Sequence, residues 1–147
     1  MRSSIDPTGL SMRGDSDALR RMLVNLLDNA VRHTIQGWVE VRCGEMLDSG
    51  GRWVEFQVSD SGEGIAPELA GWLGEAFAMN AGVLGINLIH GSGLGLAICK
   101  GVAAAHAGRM RIESSRESGT TVSVRMRSDL PGPAALSGDN RITAIVK

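Results

Sequence analysis

The chain has 147 residues, enough for one domain with a real core, and 43% of them are hydrophobic, which is ordinary for a globular protein. A formal net charge of -1 removes the electrostatic case for general nucleic-acid binding, and 3% aromatic residues with no tyrosine remove a stacking platform for single strands. No apolar run approaches the ~20 residues that a bilayer span needs, and no apolar stretch follows Met1 as a secretory signal would require, so a soluble, cytoplasmic protein without membrane contact is expected.

Residues 1–13 have no hydrophobic period and read as a leader, a linker or a cloning remnant. A helix is predicted to start after Asp15 or Ser16, both good caps, with Leu19, Met22, Leu23, Leu26, Leu27 and Ala30 as one apolar stripe. Two alternating runs follow. Val39, Val41 and Cys43 share a face of the first, and Val54, Phe56 and Val58 share a face of the second. The turn signal at 48–51 makes them a hairpin. A short helix is predicted from Pro67 to Leu73, and a longer alanine-rich one from Leu94 to Ala107, closed by Gly108. Between them, residues 78–91 keep no period and read as a mobile loop. Met110, Ile112 and Ser114, then Val122, Val124 and Met126, repeat the alternating pattern around a turn near Glu117. Strict alternation buries one face of each strand. The expected fold is α+β, a two-layer α/β sandwich with a mixed, mainly antiparallel sheet covered on one face by about three helices. Residues 131–147 read as a C-terminal tail or linker, and 141–147 could form a short strand or nothing. Cys43 and Cys99 stand far apart, outside any CxxC pattern; reduced thiols are expected, with a disulfide as the alternative.

Four segments carry chemistry: Asn25-Leu26-Leu27-Asp28-Asn29, Asp60-Ser61-Gly62-Glu63-Gly64, Gly91-Ser92-Gly93-Leu94-Gly95-Leu96, and Gly119-Thr120. Asn25, Asn29, Arg32 and His33 project from one side of the first helix, bordering its apolar stripe. Glycines at 91, 93 and 95 let backbone N–H groups approach oxygens, and the helix they open adds partial positive charge for an anion. Each segment alone is weak evidence, but their order and spacing within about a hundred residues is specific. Together they resemble the ATP-binding catalytic domain of sensor histidine kinases, in the wider GHKL superfamily of Bergerat fold that includes Hsp90, gyrase B and MutL. The resemblance covers residues 14–130.

What the resemblance implies is a cofactor pair, ATP and Mg²⁺, with Asn25, Asn29 and Arg32 as the catalytic residues. Asn29 would hold the metal through its side-chain oxygen, Asn25 would line the phosphates, and Arg32 would supply charge to them. His33 stands where relatives place an aromatic residue against adenine or ribose. Asp60 would accept from the adenine amine, which a carboxylate can do and which guanine's carbonyl cannot answer. Gly62 and Gly64 would let the backbone pass under the base, Ile65 would belong to the same nucleotide-binding set, and Thr120 would lie near the adenine. Phe77 matches the phenylalanine at the lid hinge. Gly91, Ser92, Gly93, Leu94, Gly95 and Leu96 would surround the triphosphate, and residues 78–91 would form the lid. Lys100 reads as an exposed lysine rather than a phosphate ligand.

Two departures qualify the match. The lid carries no Arg or Lys after Phe77, and Glu117 stands where a glycine is usual. The branch is set by Asn25, because hydrolytic members place a base glutamate there and an amide cannot take a proton. The implied activity is therefore an ATP-dependent protein histidine kinase. Its partner would be a histidine-bearing dimerisation domain of the same parent protein, which could be membrane-anchored, with a response regulator served indirectly. His33, His90 and His106 lack the acidic residue that follows family acceptor histidines, so the acceptor lies elsewhere, and the isolated module would be monomeric. A degenerate nucleotide-binding regulatory module and an ATP-hydrolysing clamp resembling Hsp90 or MutL remain the alternatives.

Overall fold

A computed structural model describes residues 12, 14–65, 94–128 and 140–146. The first helix, α1, is Ser16–Arg32. Asp15 caps it, its carboxylate accepting from the N–H groups of Asp17 at 2.9 Å and Ala18 at 3.1 Å. Those bonds hold the Asp15 carboxyl below its ordinary value, Ala18 contributing most. Met22, Leu26 and Ala30, spaced i, i+4 and i+8, are buried. Leu27 departs from the predicted stripe. It is exposed with Val24 and Val31 on the flank, because it lies about 100° round the helix from Leu26, past the edge of contact with the sheet.

Strands β1 (Gly37–Asp48) and β2 (Gly51–Asp60) form the predicted hairpin, with Asp48 opposite Gly51. The second helix, α2, is Leu94–Ala105, followed by β3 (Arg109–Ser115) and β4 (Gly119–Arg127). The helix stops two residues before the predicted Ala107. Gly108 N–H donates to Ala103 O at 2.8 Å and Ala107 N–H to Ala104 O at 3.1 Å, the bonding of a Schellman stop. The residue in the left-handed region is Ala107, at φ 50, rather than the glycine. Gly108 is needed for closeness instead: a Cβ there would meet Arg125 O at 2.2 Å. The short helix expected from Pro67 and the loop 78–91 lie outside the described residues.

The last strand, β5, is Asn140–Val146, pairing with β1 from Gly37↔Val146 to Cys43↔Asn140. The sequence left this segment open; it takes the edge of the sheet. Sheet order is β3-β4-β2-β1-β5, and every described pairing is antiparallel where the sequence allowed a mixed sheet.

The registers stack the inner face in rows. Val41, Val58, Val122 and Ile112 form one, and Cys43, Phe56, Val124 and Met110 the next. Met22, Leu26 and Ala30 from α1 and Cys99 and Ala103 from α2 close on Val39, Val58, Val122, Val124 and Met126. The core is aliphatic, as the scarcity of aromatics requires. The outer face is polar: Thr121 donates to Ser59 at 3.0 Å, Arg125 pairs with Glu55 at 2.8 Å, and Arg127 lies 5.1 Å over Trp53. Both cysteines are free. Desolvation pushes each thiol up to about 11. Among the described residues no helix is long and apolar enough to cross a membrane.

Candidate functional site

The row beyond Val41, Val58, Val122 and Ile112 on the inner face is Val39, Asp60, Thr120 and Ser114. Here the aliphatic rows give way to three adjacent polar groups. Asp60 ends β2, directly opposite Thr120 on β4, and Thr120 is directly opposite Ser114 on β3. Asp60 is only 5% exposed. Its Oδ1 accepts the N–H of Gly62 at 2.9 Å and of Thr120 at 3.3 Å. Among the described residues no hydrogen bond engages Oδ2. Desolvation raises the Asp60 carboxyl above its ordinary value, and the two N–H bonds and the nearby His33 only partly oppose this.

The segment after Asp60 threads between the end of α1 and the turn joining β3 to β4. Ser61 N–H donates to Trp38 O at 3.0 Å, Glu63 N–H to His33 O at 3.4 Å, and Ile65 N–H to Ser114 Oγ at 2.8 Å. Gly64 sits at φ +65, and a Cβ there would lie 2.0 Å from Ser115 O. Gly119 sits at φ +76, and a Cβ would lie 1.9 Å from Asp60 O. Only glycine meets both demands. The protein's own backbone therefore requires these glycines, before any base is considered; Gly62 likewise packs against His33 O.

The amide row of α1 faces the start of α2. A Cβ on Gly95 would stand 3.7 Å from both Asn25 Cβ and Asn29 Nδ2, ordinary contact that puts the two amides against the first turn of that helix. Among the described residues neither side-chain amide has a hydrogen-bond partner. Arg32 is turned away: its guanidinium pairs with Asp28 at 2.8 Å on the exposed flank. An exposed pair of this kind holds an arginine with no more than about 1 kcal/mol, so it can release the side chain. His33 follows α1 as its C-terminal cap, its Nδ1 3.5 Å from Glu63 Oε1. Leu96 packs against the core. Of the remaining predicted residues, Phe77, Gly91, Ser92 and Gly93 lie outside the described set, as does the side chain of Leu94.

Ser114 is the residue the sequence reading missed. Alternation alone marks it as the polar end of a strand, yet its hydroxyl touches Ile65 N, Gly119 O and Thr120 Oγ1. The signal was available: a polar residue at an inward position, in the same row as Asp60 and Thr120.

The amides on α1 can offer a hard oxygen, which suits Mg²⁺. Among the described residues no group of three or more His, Cys, Asp or Glu could hold a metal. The chemistry of the site is thus an acceptor corner at Asp60 and Thr120, with neutral amides and a helix N-terminus on the side of α1.

Comparison with known proteins identifies the family. A family model described as histidine kinase-, DNA gyrase B-, and HSP90-like ATPase matches residues 14–130. The histidine protein kinase DivJ of Caulobacter vibrioides is 34% identical over 126 residues, covering 86% of this chain and 20% of that protein. The signal transduction histidine-protein kinase/phosphatase MprB of Mycolicibacterium vanbaalenii is 36% identical over 128 residues, covering 86% of this chain and 25% of the relative. The chain thus spans a fifth to a quarter of these relatives. Among solved structures, the histidine kinase domain of the E. coli osmosensor EnvZ matches with TM-score 0.58 at 25% identity, covering 90% of this chain and 77% of that one. Full-length ShkA in complex with AMPPNP matches with TM-score 0.52 at 30% identity, covering 82% of this chain and 22% of that one. With its polar inner row, its amide face and a family match over most of its length, the chain belongs to the histidine kinase-, DNA gyrase B- and HSP90-like ATPase family, as an ATP-binding domain of the sensor histidine kinase type.

Proposed function

We propose that this domain binds Mg-ATP and donates the γ-phosphate to a histidine on a separate dimerisation and phosphoacceptor domain of its parent protein. The observation that carries the reading is Asp60: a buried carboxylate with one oxygen fixed by two N–H groups and the other without a partner among the described residues. Such a group is costly to bury unless a ligand uses it, and a donor such as the adenine amine is what it can use. Asn25 and Asn29 support the phosphate side, since two amides without partners among the described residues face the first turn of α2.

In this reading Asn29 would hold Mg²⁺ through its side-chain oxygen, and the ion would supply positive charge against the phosphates. Asn25 lines the phosphates, and Arg32 leaves Asp28 to join them. Gly95 and Leu96, with the residues just before α2, give amide donors to the triphosphate. Because Asn25 cannot accept a proton, the domain positions and stabilises rather than activating water, and the acceptor imidazole supplies its own nucleophile. The ATP supply places this activity in the cytoplasm, with any membrane anchor belonging to the parent. A response regulator would draw the phosphoryl group from the acceptor domain and not from this one. The domain boundaries at 14 and 130 belong to the same proposal.

The test mixes the chain with the separately purified histidine-bearing domain of its parent and γ-labelled ATP. Acid-labile, base-stable label on that domain is expected, lost with Asn29→Ala. Binding of ATP without transfer would instead select a nucleotide-sensing regulatory module. Appreciable phosphate release by the isolated chain would select a clamp-like hydrolase.

A further inference from the structure

The hydrogen-bond inventory of Ser114 fixes the polarity of its neighbour. A serine hydroxyl has one proton and two lone pairs. Ile65 N–H, at 2.8 Å, occupies one lone pair. Gly119 O, at 3.1 Å, can only accept, so it takes the proton. The second lone pair faces Thr120 Oγ1 at 2.8 Å, so Thr120 is the donor in that contact. With its one proton spent on Ser114, the Thr120 hydroxyl has only lone pairs left to offer. Across the strand pair, Asp60 is likewise an acceptor, with Oδ2 unengaged among the described residues.

We propose that Ser114 is a positioning residue for base selection: it holds the Thr120 hydroxyl as an acceptor, so that Thr120 and Asp60 together favour an amine over a carbonyl at the purine 6-position. The inference rests on the adenine reading of Asp60 and goes beyond it by adding a residue that touches no base. An amine with two N–H groups can donate directly to both acceptors, whereas a carbonyl oxygen can donate to neither. Alanine at 114 frees the Thr120 proton, which can then turn and donate to a carbonyl.

The experiment is calorimetric titration of the chain and of Ser114→Ala, Ser114→Thr, Thr120→Val and the Ser114→Ala/Thr120→Val double variant. Each is titrated with ATP, with inosine triphosphate and with the triphosphate of unsubstituted purine riboside, all with Mg²⁺. Ser114→Ala is expected to narrow the ATP-to-inosine preference by about tenfold, the size of one hydrogen bond to a charged or polar group. Binding of the unsubstituted purine should change far less. Ser114→Thr, which keeps the hydroxyl, should restore the preference. On the Thr120→Val background, Ser114→Ala should narrow it no further, because the residue acts through that hydroxyl. An equal loss for all three nucleotides, or additive effects in the double variant, would overturn the proposal and reduce Ser114 to a brace for Ile65. If Ser114→Ala unfolds, the other two single variants decide: Thr120→Val must narrow the preference and Ser114→Thr must keep it. Failure of the unaltered chain to bind ATP removes the adenine reading itself, and this proposal with it.

Discussion

At the scale of single residues, the site conflicts with stability at Asp60. Its carboxyl is held above the ordinary value by burial, so ionisation costs the folded state free energy. For a raised acid the stabilisation is present below the unfolded value and is lost as pH rises through the folded one. Asp60→Asn removes that loss while keeping an oxygen for the N–H groups of Gly62 and Thr120. The variant is therefore expected to melt higher than the parent chain at neutral pH, with the gap closing as pH falls to the ordinary carboxylate range. Thermal melts across that range check it, and a gap that widens on acidification would count against the burial argument. The same variant should lose ATP affinity by tenfold or more, about 1.4 kcal/mol. Ala107 offers a cleaner case. Its left-handed backbone costs a non-glycine residue about 1–2 kcal/mol, against about 0.4–1 kcal/mol of added freedom that glycine gives the unfolded chain. Ala107→Gly should stabilise by about 0.5–1 kcal/mol in denaturant titration; a destabilised variant would mean that the unfolded chain's added freedom outweighs the relieved backbone strain.

At the scale of elements, one histidine ties the two helices together. His106, just past α2, accepts the Asp15 N–H at its Nε2 at 3.1 Å, while its Nδ1 lies 2.8 Å from Val102 O. The carbonyl can only accept, so the proton sits on Nδ1 and Nε2 is left to receive from Asp15. The residue that caps α1 is thus held by the end of α2. A Cβ on Gly14 would fall 2.6 Å from the same Nε2, so the chain enters α1 through a gap that a larger side chain would fill. His106→Ala should cost about 1–2 kcal/mol, one to two hydrogen bonds, and the loss should be concentrated at the start of α1. Amide exchange reads this directly: Asp15, Asp17 and Ala18 should lose protection before Met22 or Leu26 do. Uniform loss across both helices would show His106 to be ordinary packing.

At the scale of the whole molecule, what could be read from the chain followed physical locality. Alternation in 39–43, 54–58, 110–114 and 122–126 announced which side chains face the helices, because the strand period is fixed by the backbone. The amide row on α1 was legible because the helical period is likewise fixed by the backbone. Strand order was not, since placing β4 beside β2 depends on pairing between segments some sixty residues apart, as Asp60↔Thr120 shows. Ser114 was missed on that account: its meaning comes from the row it shares with Thr120 and Asp60, which exists only once β3, β4 and β2 are aligned. Leu27 was misplaced because periodicity gives a stripe's direction more reliably than its width. The seven-residue β5 stays open in the sequence as a strand or nothing, because its placement comes from backbone pairing along β1. Ending the chain after residue 130 should leave ATP binding intact, since Asp60, Thr120 and Ser114 lie on β2, β4 and β3. It should also bare the backbone edge of β1 and raise self-association, which light scattering would detect.

An adenine-selective, Mg²⁺-assisted site built around Asp60 is checked by calorimetric titration with ATP and GTP, each with and without Mg²⁺. ATP should bind, GTP should not bind measurably, Mg²⁺ should strengthen the ATP complex, and Asp60→Asn should weaken it. A folded chain that binds neither nucleotide, or binds both alike, would contradict it.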